Sequence, residues 1–206
     1  MQRINKSGVM PKITADWVNK NNKLNWKDLP LDQKQALREQ LHAEQYGLCC
    51  YCCKTITATL DTVSIEHLQD KHQHLKLQFD YENLLLSCIS TKHCNQAKQS
   101  KTIKVDPLQT DCDDSIKMNP LSAQLIGDKN KEDAEETIEI LKLNHRDLIN
   151  RRTELLKLIQ DYLKAFNICE NIYQMKRNSD FKDSFLELVK NFPQYRELEY
   201  IVNKVT

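Results

Sequence analysis

Chain breakers are scarce: 206 residues hold three glycines and five prolines, with 29% charged residues, and this balance points to a mostly helical protein. No uninterrupted apolar run approaches the roughly 20 residues that span a bilayer, so no membrane role is expected. The first residues, MQRINKSGVMPK, lack an apolar stretch followed by a small-residue cleavage site. A cytoplasmic location is the expectation. Charge of one sign is lacking as well, and the formal net charge of +1 excludes a protein that binds nucleic acid by bulk electrostatics. There is no internal repeat or low-complexity segment, and 40% hydrophobic residues suffice for the core of one domain with extensions or of two small domains.

Locally the charge is less even. Residues 1–27 hold Arg3, Lys6, Lys12, Lys20, Lys23 and Lys27 against Asp16, and residues 67–104 hold six lysines against three acids. Either stretch could face phosphate, although a solvated face is the ordinary explanation of such a run.

The pattern divides the chain at about residues 30 and 106. Residues 1–30 read as an N-terminal arm of little periodicity, with Trp17 and Trp26 as anchoring points on something else. From Leu31 to Tyr46, strong helix formers place Leu37 and Leu41 four apart, and Gly47 is a natural stop. The β-branched stretch KTITATLDTVSIE, residues 54–66, suits a short hairpin with Asp61 in its turn. Leu84 to Leu86 form a short buried run, and HCNQAKQSKTI opens with a helix. The order over 31–106 is therefore knuckle, β, β, α.

After Asp106-Pro107 the chain reads as irregular to about 130. A helix then puts Ala134, Ile138 and Leu141 on one face, and from Asp147 apolar residues recur at Leu148, Leu155, Ile159, Leu163 and Phe166. Further helices are expected within 181–191 and 195–203, so residues 107–206 read as a helical subdomain. The fold class is α+β, mostly helical.

Against these absences stands GLCCYCCKTI, four cysteines in five positions. In a reducing compartment such crowding points to metal rather than to disulfides. A structural zinc takes four soft ligands, commonly as two pairs on tight turns. Cys49 with Cys52, or Cys50 with Cys53 in the next register, can supply one pair; Cys88 and Cys94 supply the other, with His93 able to stand in for a sulfur. The metal would close the base of the 35 residues between Cys52 and Cys88 and offset a small ββα core. Cys112 and Cys169 read as isolated apolar thiols.

Inside that loop lie Glu66 and His67 at the end of a strand, Asn83 in YENLLLSC, and Asn95 directly after the last cysteine. Phosphodiester hydrolysis needs a base and a divalent cation, and His67 has the ordinary pKa for the first task. Glu66 and Asn95 offer hard oxygens to a Mg²⁺- or Mn²⁺-like ion.

The succession C-x-Y-C, I-E-H, Y-x-N-L and C-N-x-x-K resembles the zinc-supported HNH nuclease motif, the ββα-metal fold. The resemblance implies His67 as general base, Glu66 and Asn95 as ligands of the catalytic ion, Asn83 as the residue bracing the loop, Lys98 as a phosphate contact, and Cys49, Cys52, Cys88 and Cys94 around zinc. Asn95 stands where the namesake motif has a second histidine, which makes the site more oxygen-rich. The proline usual after E-H is replaced by LQDKH, so the resemblance does not give the shape of that loop.

Beyond the core, LREQLHAEQYGLCCYC, VDPL and ETIEILKLNHRDLINRR look like PtuB, the HNH subunit of Septu-type anti-phage defence, including versions attached to retrons. That likeness covers about residues 12–165. It implies nucleic acid as substrate, with DNA favoured over RNA, a PtuA-like ATPase partner that docks on the helical half, and in retron systems a reverse transcriptase with its DNA–RNA product.

Two other classes compete. A zinc-knuckle module that binds nucleic acid or a partner without catalysis would use the same cysteines but has no need of Glu66, His67 and Asn95 together. A redox sensor would need an exposed cysteine of low pKa. His72 and His74 read as a solvated loop, and His42 and His145 as surface residues.

Overall fold

The structure, a computed structural model, describes residues 1–21 and 23–205. It is α+β and mostly helical, with small two-stranded sheets among the described residues. Two helices lead in: α1 (Lys12–Lys20) packs against α2 (Leu31–Glu44). Leu37 and Leu41 are fully buried on α2, as their spacing predicts. The helix ends where Gly47, at φ +72°, donates its N–H back to the carbonyl of His42.

The knuckle follows at once, and three hydrogen bonds to Leu86 attach it and the end of α2 to the sheet. Cys50 N–H donates to Leu86 O, and Gln45 both donates to Leu86 O and accepts from Leu86 N–H. The sheet pairs β1 (Val63–His67) with β2 (Leu84–Cys88) antiparallel, from Val63 opposite Cys88 to His67 opposite Leu84. The hairpin expected within 54–66 is therefore corrected. β-branched composition marks strand propensity but not partner, and β1 pairs across residues 68–83 with a strand whose Leu84, Leu85 and Leu86 are all fully buried. The short helix α3 (Asn95–Lys98) completes the ββα order.

Past α4 (Cys112–Ser115), the stretch read as irregular holds a second antiparallel pair, β3 (Ile116–Met118) with β4 (Leu125–Gly127). Then come α5 (Lys131–Ile140), α6 (Arg146–Ala165), α7 (Ile172–Arg177), α8 (Ser179–Val189) and α9 (Tyr195–Lys204). Leu148, Leu155, Ile159 and Leu163 are buried along α6, but Phe166, just beyond its last turn, is 54% exposed.

One buried cluster draws on residues from Met1 to Val205. The N-terminal stretch contributes to it. Met1 and Ile4 are buried, Ile4 N–H donates to Pro107 O, and Trp17 and Trp26 pack on Phe79 in the loop between β1 and β2. The helical half grips the knuckle through Glu197 of α9, which accepts from Thr55 N–H and pairs with Arg151 of α6.

Candidate active site and metal cluster

The sulfurs of Cys49, Cys52, Cys88 and Cys94 lie within 4.8 Å of one another, all on buried residues. Two approaches are 3.7 Å, Cys52 to Cys88, and 4.0 Å, Cys49 to Cys94. Zinc–sulfur bonds of about 2.3 Å in a regular tetrahedron hold sulfurs about 3.8 Å apart. The donor set thus fits a zinc ion in both softness and spacing. Cys88 N–H donates to Cys49 Sγ at 3.3 Å, an arrangement that favours thiolate. Burial opposes ionisation at Cys49, but hydrogen bonds from Cys50, Cys52, Cys88 and Cys94 carry its thiol well below the ordinary value, whereas burial together with Cys49, Cys52 and Cys88 pushes Cys94 up.

Of the two possible registers, the Cys49/Cys52 pair joins the cluster. Cys50 and Cys53 are buried outside it, and burial raises both thiols. His93 is also outside the sulfur set, with Nδ1 3.1 Å from Cys94 Sγ.

β1 carries the next group. Alternate residues of a strand share a face, so Ser64 and Glu66 point together toward α3. There Asn95 Nδ2 donates to Ser64 Oγ at 3.0 Å, while Lys98 Nζ, one turn on, lies 3.0 Å from Glu66 Oε1 and donates to His67 O at 3.2 Å. Asn95 N–H reaches Ser87 Oγ on β2 at 3.3 Å.

Glu66 is 3% exposed. Its Oε1 also accepts from Tyr51 Oη at 2.9 Å. Burial raises the carboxyl above its usual range, against the opposing pull of Lys98 and Tyr51. The remaining oxygens, Glu66 Oε2 and Asn95 Oδ1, take none of these bonds, so two hard donors are left on the side where α3 meets the strand. That donor chemistry fits a small divalent cation.

His67 turns to the other side of the strand. Its Nε2 meets Gln78 O at 3.0 Å, and the Trp26 ring stands edge-on at 4.6 Å between centroids. A neutral imidazole donating from Nε2 leaves Nδ1 as acceptor. Burial lowers the His67 pKa to about 4, with the Gln78 carbonyl opposing. Among the described residues no hydrogen bond joins the His67 ring to Glu66 or Asn95. Asn83, behind the hairpin, spans the loop: its Oδ1 accepts from Gln69 N–H at 2.7 Å, and its Nδ2 donates to Gln69 O and Leu77 O at 2.9 and 3.1 Å.

The structure thus brings Glu66, Asn95 and Lys98 to one face, with Asn83 and His67 framing the loop that follows β1. Lys98, expected at phosphate, is fully buried against Glu66. Residue-level reading of the sequence gave no role to Tyr51, whose place between two cysteines of the cluster was the available signal, nor to Gln78, which meets His67 through its main-chain carbonyl. His72 and His74 are exposed, whereas His42, expected at the surface, is half-buried with Nε2 2.9 Å from Ile56 O. No described helix is long and apolar enough to cross a membrane.

No family model matches the chain. Over 140 residues it is 29% identical to a protein of Vibrio cholerae serotype O1 biovar El Tor named "Retron Vc95 putative HNH endonuclease". The similarity covers 61% of this chain and 66% of that protein, just under two thirds of its length.

Proposed function

We propose that this chain is a metal-dependent HNH endonuclease that hydrolyses phosphodiester bonds, with DNA favoured as substrate, and that it is the PtuB-like effector of a Septu-type anti-phage complex. The observation that carries the reading is the convergence of Glu66 and Asn95 on one face of a ββα unit next to a four-sulfur cluster. The similarity to a retron nuclease supports it, and so does the order of motifs from Cys49 to Lys98.

In this reading His67 is the general base. Its Nε2 proton is held by Gln78 O, which orients the ring and leaves Nδ1 to take a proton from water. Glu66 and Asn95 would hold a Mg²⁺ or Mn²⁺, which would supply charge neutralisation at the scissile phosphate and the leaving oxygen. Asn83 keeps the loop that carries Gln78 in register with β1. Cys49, Cys52, Cys88 and Cys94 would hold a zinc ion that fixes the strand against α3.

A net charge of +1 suits a nuclease brought to nucleic acid by another subunit. The partner in this reading is a PtuA-like ATPase docking on residues 107–206, with a reverse transcriptase and its DNA–RNA product in a retron setting. A second reading, a zinc-knuckle module without catalysis, draws on the burial of His67 under Trp26.

Plasmid and mixed-RNA cleavage in Mg²⁺ and in Mn²⁺, alone and with the co-expressed ATPase, separates the two. The wild type is expected to cut and His67→Ala to lose cutting with its melting temperature retained. Full cutting by His67→Ala would remove the assignment of the base.

A further inference from the structure

A lysine ammonium with 0% side-chain exposure is held 3.0 Å from the carboxylate that the nuclease reading gives to a divalent cation. We infer that Lys98 is a positioning residue, a resident counter-ion of Glu66 that keeps the site weak for a free divalent cation until a phosphodiester brings further negative charge. The inference rests on the proposed nuclease site.

Three features carry it. Lysine is almost never fully buried without a partner, and here the partners are Glu66 Oε1 and the carbonyl of His67. The main chain that carries the ammonium is anchored as well: Lys98 N–H donates to Cys94 O, and Cys94 belongs to the sulfur cluster and donates its own N–H to Leu141 O. With its side chain 0% exposed, the lysine is confined beside Glu66. Finally, Tyr51 Oη donates to the same Oε1 from between Cys49 and Cys52. Two donors on one oxygen, both delivered by segments tied to the cluster, leave Oε2 as the oxygen that neither of them holds.

A fixed positive charge on Oε1 and a cation on Oε2 repel across one carboxylate, and the repulsion is weakly screened where both are shielded from water. A phosphodiester oxygen beside the cation offsets that repulsion. Metal and substrate are then expected to bind together, which would keep the nuclease quiet when no strand is in place. Tyr51 adds orientation without charge, so the two donors make separable contributions.

The test measures Mn²⁺ binding by electron paramagnetic resonance on the full-length, zinc-loaded protein. It uses Mn²⁺ alone and Mn²⁺ with a phosphorothioate oligonucleotide verified intact by gel. The wild type is expected to tighten its hold on Mn²⁺ about tenfold when the oligonucleotide is present, the scale of one neighbouring charge. Lys98→Gln is expected to bind Mn²⁺ alone about tenfold more tightly than the wild type and to gain less from the oligonucleotide. Lys98→Arg should behave as wild type, and Glu66→Gln should lose the site. Lys98→Gln binding Mn²⁺ no more tightly than wild type, at unchanged zinc content and melting temperature, would overturn the inference. Mn²⁺ binding that survives Glu66→Gln would do the same. Should Lys98→Gln fail to fold, the oligonucleotide arm on wild type decides, since no tightening there also overturns it. Absence of cleavage with these binding results intact would sink the nuclease reading alone.

Discussion

At the scale of the residue, the candidate site sets side chains with atoms left over, Glu66, Asn95 and His67, beside one whose hydrogen-bonding groups are all engaged. That one is Asn83. It is 6% exposed and spends both donors and its acceptor on main-chain groups of Gln69 and Leu77. Leucine at this position would keep the bulk and remove all three hydrogen bonds to the main chain of Gln69 and Leu77, groups that lie near the surface. Asn83→Leu is expected to cost about 1–3 kcal/mol, since each hydrogen bond lost is worth about 0.5–1.5 kcal/mol net and the freed groups regain some of it from water. It should also speed hydrogen exchange at the Gln69 amide, while the amides of β2 stay protected. Equal exchange at Gln69 in wild type and variant would show that the bracing lies elsewhere. Glu66, His67, Asn83, Asn95 and Lys98 were all nameable from the sequence because residue types at motif spacing are visible there. What the spacing could not give is direction. Glu66 and His67 are neighbours in the chain, yet the strand sends one toward α3 and the other toward Trp26.

At the scale of the element, the knuckle offers four cysteines where the cluster takes two from it, and the fold chooses among them by where the turn places each sulfur. Cys53 sits at φ +55°, and its N–H returns to Cys49 O, so the chain curls back at the end of the knuckle and turns Cys49 and Cys52 toward Cys88 and Cys94. Single Cys→Ser variants should separate the two groups by metal analysis. Cys50→Ser and Cys53→Ser are expected to retain one equivalent of zinc per chain, and Cys49→Ser or Cys94→Ser to lose most of it, together with the cooperative unfolding of the ββα unit. A full zinc equivalent in Cys94→Ser would mean that His93, 3.1 Å from that sulfur, serves in its place. Helices were legible where a long apolar stripe exists, as along α6. The misses are short or pair at a distance. β3 and β4 have three residues each, too few for a period to show. The helix α7 is six residues long and is announced mainly by Asn171, whose side chain caps Tyr173 and Gln174. The partner of β1 is a strand beyond residues 68–83, and nothing local in 54–66 could reveal it.

For the whole molecule, the sequence suggested separate pieces and the structure joins them through one core and a few buried polar ties. The strongest tie outside the site is Glu197. It is 2% exposed, accepts from Arg151 Nε at 2.9 Å and Arg151 Nη2 at 3.1 Å, and takes the Thr55 N–H at 3.0 Å, so α6, α9 and the base of the knuckle meet on one carboxylate. None of this could be read from a helix pattern, because the partners are 46 and 142 positions away. Burial disfavours the charged form of Glu197, but the bonds from Arg151 and Thr55 outweigh it and hold the carboxyl below its ordinary value of 4.5. A depressed folded pKa means that the unfolded chain binds the proton first as pH falls. The contribution of Glu197 is therefore complete above about pH 4.5 and is lost as pH drops through the lower folded value. Glu197→Gln keeps the shape and the acceptor for Thr55 while removing the charge. At neutral pH it is expected to cost about 1–2 kcal/mol, a modest figure because Arg151 is 35% exposed and partly screened. Chemical denaturation of both proteins from pH 7 down to pH 3.5 should show the two stabilities converging as the wild type loses the charge. A gap that stays constant over that range would mean the pair stabilises by packing and not by its charge, and would leave the helical half held to the knuckle by the apolar core alone.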